Sequence, residues 1–400
     1  MTRFRTLYID MDSFFASIEQ QRDSRLRNKP VAITALENDY GCVVAASYEA
    51  KAYGVRTGTR VYEAKALCPG IHFRQSRHRL YAKYNKYISY LLDDVAELES
   101  IRSIDEFQIY LGREHSNLSK ALGLATRIKS LIREAVGEEV RLSIGIAANP
   151  LLAKIASKLN KPDGLQWLCK ENMPSRIRHL ALEDLPGISR GIKRRLLGAR
   201  IYSVEDLYCM DPRHARLVWR SIEGERFVRA LRGENIPINT STRGSYGNSK
   251  VLSPEHRSPR GAYLVGRWLI EKSSERIRKY NYCASRLDIF LRFDNFVSWQ
   301  DSVTFLSSQD TFFLLQQFKK LWSGLNSFIY PQKIHFVGVR LSGLINLRDR
   351  PGEFLTNLYP GEKNMSERLS SSVDNLNIRY GKRVINFGVH SEHPGFFERD

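Results

Sequence analysis

The chain has 400 residues, more than one domain usually needs, so about two to four domains are expected and a single small binding module is excluded. With 42% hydrophobic and 11% aromatic residues it can fill real cores, and no stretch approaches the roughly 18 consecutive apolar residues of a membrane span. Sixty-two basic against 43 acidic residues leave a net charge of +19, which calls for a polyanionic partner, nucleic acid ahead of an anionic membrane surface.

The five cysteines (Cys42, Cys68, Cys169, Cys209, Cys283) are odd in number, widely spread and form no CxxC pair, so neither a disulfide framework nor a zinc site is expected. Arg3 to Arg5 lead straight into a strand-like segment without the apolar core of a signal peptide, and a cytoplasmic location is expected.

Phe4 to Asp10 is rich in β-branched and aromatic residues and predicts a buried strand whose tip carries Asp10 and Asp12. A helix over Phe14 to Arg25, strands at Pro30 to Ala35 and Cys42 to Ser47, and a helix from Tyr48 closed by Gly54 make a small insertion reaching about Phe73. A helix over Arg79 to Leu98 precedes a second strand, Ile101 to Leu111, with Asp105 and Glu106 in its middle. Adjacent residues of a strand face opposite sides, so both carboxylates serve one site only if the strand ends or bends there. Leu118 to Val136 has helical spacing, Arg141 to Ala148 predicts a third strand, and Asn149 as N-cap with Pro150 behind it opens a helix running to Asn160.

From Cys169 the texture changes to short arginine-rich helices, with 14 basic and 9 acidic side chains over residues 169–238 and 15 and 7 over residues 243–344. Asn239 to Ser245 reads as a polar linker. Beyond it, Arg286 to Phe293 alternates apolar residues against Arg286, Asp288 and Arg292, a strand with one buried and one basic face. Further strands are expected at Asp301 to Leu306 and Lys333 to Leu341, with helices at Ala262 to Asn281 and Thr311 to Phe328. Arg348 to Gly352 reads as loop and Glu362 to Tyr380 as one polar helix.

Three clusters bear on chemistry. Asp10, Asp12, Asp105 and Glu106 either converge on a hard cation such as Mg²⁺ or merely cap helices and sit in solvent. Lys154, Lys158 and Lys161 form either a solvated face or, beside a metal site, a phosphate grip. Leu185-Pro-Gly-Ile-Ser189 enters a helix bearing Arg190, Lys193, Arg194 and Arg195, so its backbone N–H groups can meet an anion, in the manner of a helix-hairpin-helix.

Together, Tyr8-Ile-Asp-Met-Asp-Ser-Phe-Phe-Ala-Ser-Ile-Glu19, Ala46 to Val55, Ser103-Ile-Asp-Glu106, Ser143 to Gly164 and the Pro-Gly turn resemble the Y-family (translesion) DNA polymerases over most of the chain. The resemblance implies an α+β right-hand polymerase: a ferredoxin-like palm (1–12 and 74–168), small fingers (13–73), a helical thumb with the helix-hairpin-helix (169–238), a linker (239–245), an α/β little finger (246–344) and a tail (345–400). It implies low-fidelity template-directed synthesis past damaged bases, with Asp10, Asp105, Glu106 and the Met11 carbonyl holding two Mg²⁺ ions, Mn²⁺ being able to substitute. Asp12 is not among the shared ligands and is expected to be structural.

Phe14, Phe15, Tyr48, Lys51 and Lys161 are the implied nucleotide contacts. Phe15 is the steric gate against a ribose 2′-OH, its other reading being a core aromatic, and Lys51 stands where arginine is common. Gly187, Ser189, Arg190, Lys193, Arg286, Arg292 and Arg340 are the implied DNA contacts. Implied partners are primer-template DNA, deoxynucleoside triphosphates and the sliding clamp, for a monomeric protein. Two departures stand out: Phe107-Gln108 follows the second acidic motif where a small residue and an aromatic are frequent, and Glu353 to Tyr359 is at best a degenerate clamp-binding peptide. The short tail favours the bacterial polymerase IV branch over the polymerase V catalytic subunit. A catalytically silent DNA-binding relative and a nucleotide cyclase built on a similar palm are the competing readings.

Overall fold

The structure, a computed structural model, describes residues 3–35, 39, 41–237, 243–295, 297–327, 333–350, 362–381 and 383–391. Most of the expected linker, residues 239–242, and the Glu353 to Tyr359 peptide lie outside them. The chain divides into two compact units, one formed by residues up to 238 and one by those beyond.

The first unit begins with β1 (Thr6–Met11) and α1 (Phe14–Arg22), followed by β2 (Val31–Thr34), β3 (Val43–Ala46), α2 (Tyr48–Ala52), α3 (Val61–Leu67) and β4 (His72–Gln75). Then come α4 (His78–Val95), β5 (Leu98–Ile101), β6 (Glu106–Tyr110), α5 (Leu118–Ala135), β7 (Leu142–Ala147), α6 (Pro150–Lys158) and β8 (Leu165–Leu168). Strands β5-β6-β1-β7-β8 form one sheet in that order, and β3-β2-β4 form a smaller one. Every residue of β1 and of β7 is buried, because both faces of the large sheet are covered. On one face Leu7, Ile9, Phe107, Ile109, Ile144 and Ile146 pack with Tyr81, Ile88 and Leu92 of α4 and Ile128 and Ile132 of α5.

The opposite face takes α6. A Cβ on Gly145 of β7 would lie 1.9 Å from the Ala153 carbonyl oxygen, so only glycine lets this helix approach the sheet so closely. Asn149 caps α6 by accepting from the Leu152 N–H at 2.9 Å, as its sequence position predicts.

The helices α7 (Arg190–Gly198), α8 (Val204–Cys209), α9 (Pro212–Trp219) and α10 (Ile222–Leu231) follow, and their apolar sides share a core with Leu152, Ile155 and Ala156 of α6. The Asn149 amide also donates to the carbonyls of Ala230 (2.7 Å) and Glu234 (2.8 Å), tying the start of α6 to the end of α10.

The second unit contains β9 (Ser245–Val251), α11 (Pro259–Lys279), β10 (Tyr282–Phe293), β11 (Ser298–Ser308), α12 (Thr311–Ser323), β12 (Ile334–Ser342) and α13 (Glu362–Arg379). Its antiparallel sheet runs β11-β10-β12-β9, and Leu287, Ile289, Leu291, Val337 and Val339 turn inward onto Val265, Leu269, Leu314 and Phe318 of α11 and α12. No described helix is long and apolar enough to cross a membrane.

Two expectations need correction. The strand foreseen over Ile101 to Leu111 is a hairpin: β5 ends at Ile101 and β6 begins at Glu106, with the Arg102 and Ser103 N–H groups both donating to the Glu106 carbonyl across the turn. The helix foreseen to Arg25 stops at Arg22, because Asp23 turns extended and its side chain caps the short turn Ser24–Leu26. Asp288 lies on the basic face as expected, but it is 4% exposed there, covered by Arg286 Nε at 2.9 Å and Arg340 Nε at 3.1 Å. Strands β4, β8 and β9 and helix α3 were not foreseen; β4 and β8 are short, and β9 is interrupted by Gly247.

Candidate active site

The hairpin satisfies the condition that the adjacent carboxylates impose. Because β6 starts at Glu106, Asp105 lies in the turn and escapes strand alternation. Glu106 is the cross-strand partner of Asp10, and the Met11 N–H donates to the Asp105 carbonyl at 2.9 Å. Asp10, Asp105 and Glu106 are therefore neighbours at one end of the central strands.

A cleft of about 250 Å³ opens beside them, lined by Asp10, Met11, Phe14, Phe15, Lys51, Asp105 and Lys161 among others. Four of the five expected nucleotide contacts meet there. Tyr48 does not line it: its hydroxyl donates to Asp12 Oδ1 at 3.2 Å.

Cations neutralise the carboxylates in separate pairs. Lys161 bonds Asp10 and lies 3.3 Å from Asp12, while Lys154 bonds Glu106 Oε1 at 2.6 Å. Asp105 accepts from the Ser103 hydroxyl. The lysine cluster thus splits: Lys161 serves the cleft, Lys154 serves Glu106, and Lys158 adds its field to Glu106 from further off. Burial pushes the Asp10 carboxyl above its ordinary range, Lys161 draws it back, and Asp105 and Glu106 push it up again. Glu106 is also penalised by burial, but the Lys154 bond outweighs this and holds it below its ordinary range.

Asp12 is 1% exposed and accepts from the Ser143 hydroxyl (3.0 and 2.9 Å), the Tyr48 hydroxyl and the Asp163 N–H (2.8 Å). It joins β1, β7, α2 and the turn after α6. Ser143 belongs to a motif quoted from the sequence, but only the register that sets it opposite Asp10 shows that it faces this carboxylate.

Phe15 faces two ways. It lines the cleft, and it stacks on Tyr81 in the core with ring centroids 4.2 Å apart and planes 14° apart. Tyr81 donates to Glu19 at 2.8 Å, and Arg77 grips the same carboxylate. Lys51 donates to the Ser13 hydroxyl at 2.7 Å and lies 4.1 Å from the Tyr48 ring centroid. Burial and the nearby Lys161 charge lower its ammonium pKa. Ser13 was missed in the sequence because its left-handed backbone (φ 49°) at the start of α1 sets its position.

Among the expected DNA contacts, Gly187 adopts φ 97°, open to glycine, and the Ser189 hydroxyl accepts from the Ile192 N–H to cap α7. Lys193 pairs with Glu183 at the surface. In the second unit Arg286, Arg292 and Arg340 share the open face of the sheet, with Arg292 over the Phe336 ring and Arg340 over the Phe290 ring.

Comparison with known proteins settles the family. Residues 9–158 match the model of the impB/mucB/samB family and residues 243–353 match the model of its C-terminal domain. A protein named DNA polymerase IV from Moorella thermoacetica is 30% identical over 397 residues, 96% of this chain and 95% of that one. The chain belongs to the Y-family DNA polymerases.

A DNA polymerase IV from Staphylococcus epidermidis is 35% identical over 283 residues, 70% of this chain and 78% of that one. The fold is that of a Y-family polymerase: a solved Y-family chimera of Dbh and Dpo4 is matched with a TM-score of 0.73 at 21% identity, covering 86% of this chain and 99% of that one. DinB from Sulfolobus solfataricus is matched with a TM-score of 0.54 at 21% identity, covering 84% and 98%.

Y-family polymerases depend on divalent metal. Among the described residues no three His, Cys, Asp or Glu side chains stand ready as a cation cage, since two of the acids are turned onto lysines. The donor chemistry nevertheless fits: the acids are hard oxygen donors, and Asp105 and Glu106 still press on Asp10 after Lys161 has been counted.

Proposed function

We propose that the chain is a template-directed DNA polymerase whose Asp10, Asp105, Glu106 and Met11 carbonyl hold two Mg²⁺ ions. The observation that carries this reading is the meeting of Asp10, Asp105 and Glu106 beside a lysine-bearing cleft. When bound, the ions lower the pKa of the primer 3′-hydroxyl and neutralise the charge that develops as pyrophosphate leaves.

The protein's own residues do the rest. Lys161 and Lys51, which line the cleft, offer ammonium groups to the triphosphate, each as a point charge rather than a planar fork. Lys161 would exchange Asp10 for phosphate as the nucleotide arrives. Phe15 presents a ring backed by Tyr81, so a ribose 2′-OH meets a wall that cannot retreat. Tyr48 is held by Asp12 and steadies the ring beside Lys51.

The carboxylate-bearing sheet is the palm, the small sheet with α1 to α3 the fingers, α7 to α10 the thumb and the second unit the little finger. The capped turn at Gly187 to Lys193 and the open sheet face with Arg286, Arg292 and Arg340 grip primer-template DNA through phosphates rather than base edges. Synthesis past damaged bases, a monomeric state, a bacterial cytoplasmic setting and engagement of a sliding clamp complete the reading, on the polymerase IV branch. Two of the acids are paired with dedicated lysines, which a silent DNA-binding relative would not need.

Mg²⁺-dependent primer extension tests the proposal. The wild type extends a primer according to template and Asp105→Ala does not, while both bind DNA. Absence of extension by the wild type, or equal extension by the variant, overturns it.

A further inference from the structure

A guanidinium that none of these roles uses belongs to the turn that leads into Glu106. Arg102 opens the β5–β6 turn, its backbone N–H donating to the Glu106 carbonyl at 2.9 Å. Its side chain is exposed but held: Nε, at 2.7 Å, and Nη2 both donate to Oε1 of Gln108, which has no solvent exposure. Gln108 in turn donates through Nε2 to Glu99 at 2.6 Å. This is where the sequence departs from the family pattern, and the departure has a physical consequence. The fork rests on a neutral amide oxygen, while Glu99 is engaged by the other end of that amide, so the positive charge is oriented without an ion pair. Most of the fork's N–H donors remain for a ligand.

Position decides which polyanion that is. Gln108 is the cross-strand partner of Tyr8, whose hydroxyl bonds Glu106 and feels the Arg102 charge. Arg102, Tyr8 and Glu106 do not line the cleft that holds Lys51, Lys161 and Phe15. In-line displacement needs the attacking oxygen opposite the leaving pyrophosphate, so the strand bearing the 3′-hydroxyl reaches the carboxylates from the Glu106 side.

We propose that Arg102, oriented by Gln108, binds a backbone phosphate of the primer strand next to its 3′ end and so positions the attacking hydroxyl. The inference rests on the polymerase reading and gives Arg102 the status of a positioning residue. It also explains why the second acidic motif is followed by glutamine: a carboxylate there would cancel the charge, and an apolar side chain would leave it to Glu99.

The test uses full-length protein and primers in which uncharged methylphosphonate replaces one linkage at a time near the 3′ end. In the wild type one linkage weakens binding about tenfold. In Arg102→Gln that linkage ceases to matter, the slope of log affinity against log salt falls by about one, and KM for the nucleotide is unchanged. Gln108→Leu, which keeps Arg102 but releases it to Glu99, loses part of the same effect. Should Arg102→Gln melt well below the wild type, Arg102→Lys together with the wild-type linkage scan decides: the sensitive linkage persists in weakened form. Identical linkage profiles in wild type and Arg102→Gln, or a flat profile in the wild type, overturn the proposal. Failure of the wild type to extend any primer would instead sink the polymerase reading, so the two failures are distinct.

Discussion

The Lys161 ammonium lies directly on the Asp10 carboxylate, so the cation expected at the triphosphate doubles as the counterion of an acid proposed to hold metal. Removing it should separate the two roles. In Lys161→Ala the influence that lowers the Asp10 pKa is lost, so Asp10 holds its proton to higher pH. The acid limb of the kcat/KM profile then moves to higher pH and KM for the nucleotide rises, both read from pH-resolved extension kinetics. An unshifted acid limb would deny Lys161 its hold on Asp10.

Asp10 is an acid in surroundings that, taken together, disfavour its charge. Its folded pKa is raised, so its contribution to stability is fully present below the unfolded pKa and lost as pH rises through the folded value. At neutral pH the charge therefore costs stability. Asp10→Asn should melt at a higher temperature than the wild type at pH 7 while abolishing extension, with the gap closing as the pH is lowered into the carboxylate range. A lower melting temperature at pH 7 would contradict this balance.

Asp12 should behave in the opposite way. Asp12→Ala strands the Ser143 and Tyr48 hydroxyls and the Asp163 N–H in a buried site. We expect a loss of about 3 kcal/mol in denaturant unfolding. Mg²⁺ affinity per folded molecule should be almost unchanged, since the proposed ligand set does not include Asp12.

Phe15→Ala should lower discrimination against ribonucleotides by at least about tenfold in competition assays and cost about 3 kcal/mol through the cavity left against Tyr81. Unchanged sugar selection with the same loss of stability would leave Phe15 as a core residue alone.

How much of this was legible in the sequence depended on whether the signal was local. Asn149-Pro150 announced α6 because a cap acts within one turn. The tip of β1 was legible from its continuous apolar run. The hairpin at Arg102 to Asp105 was not, because Ile101 to Leu111 also reads as one unbroken strand, and only cross-strand pairing to Asp10 shows where it must turn. The burial of Asp288 was hidden for a similar reason: it depends on two arginine partners, one of them Arg340 on a strand distant in sequence. The division of Lys154 from Lys161 depends on which carboxylate each reaches, which helical spacing does not specify.

Mn²⁺ binding by the full-length protein with primer-template and a non-hydrolysable nucleotide, counted by electron paramagnetic resonance, puts the shared carboxylates to the most direct test. The account predicts two ions per wild-type molecule and a loss of tight binding in both Asp10→Asn and Asp105→Asn. Two tightly held ions in either variant would contradict it.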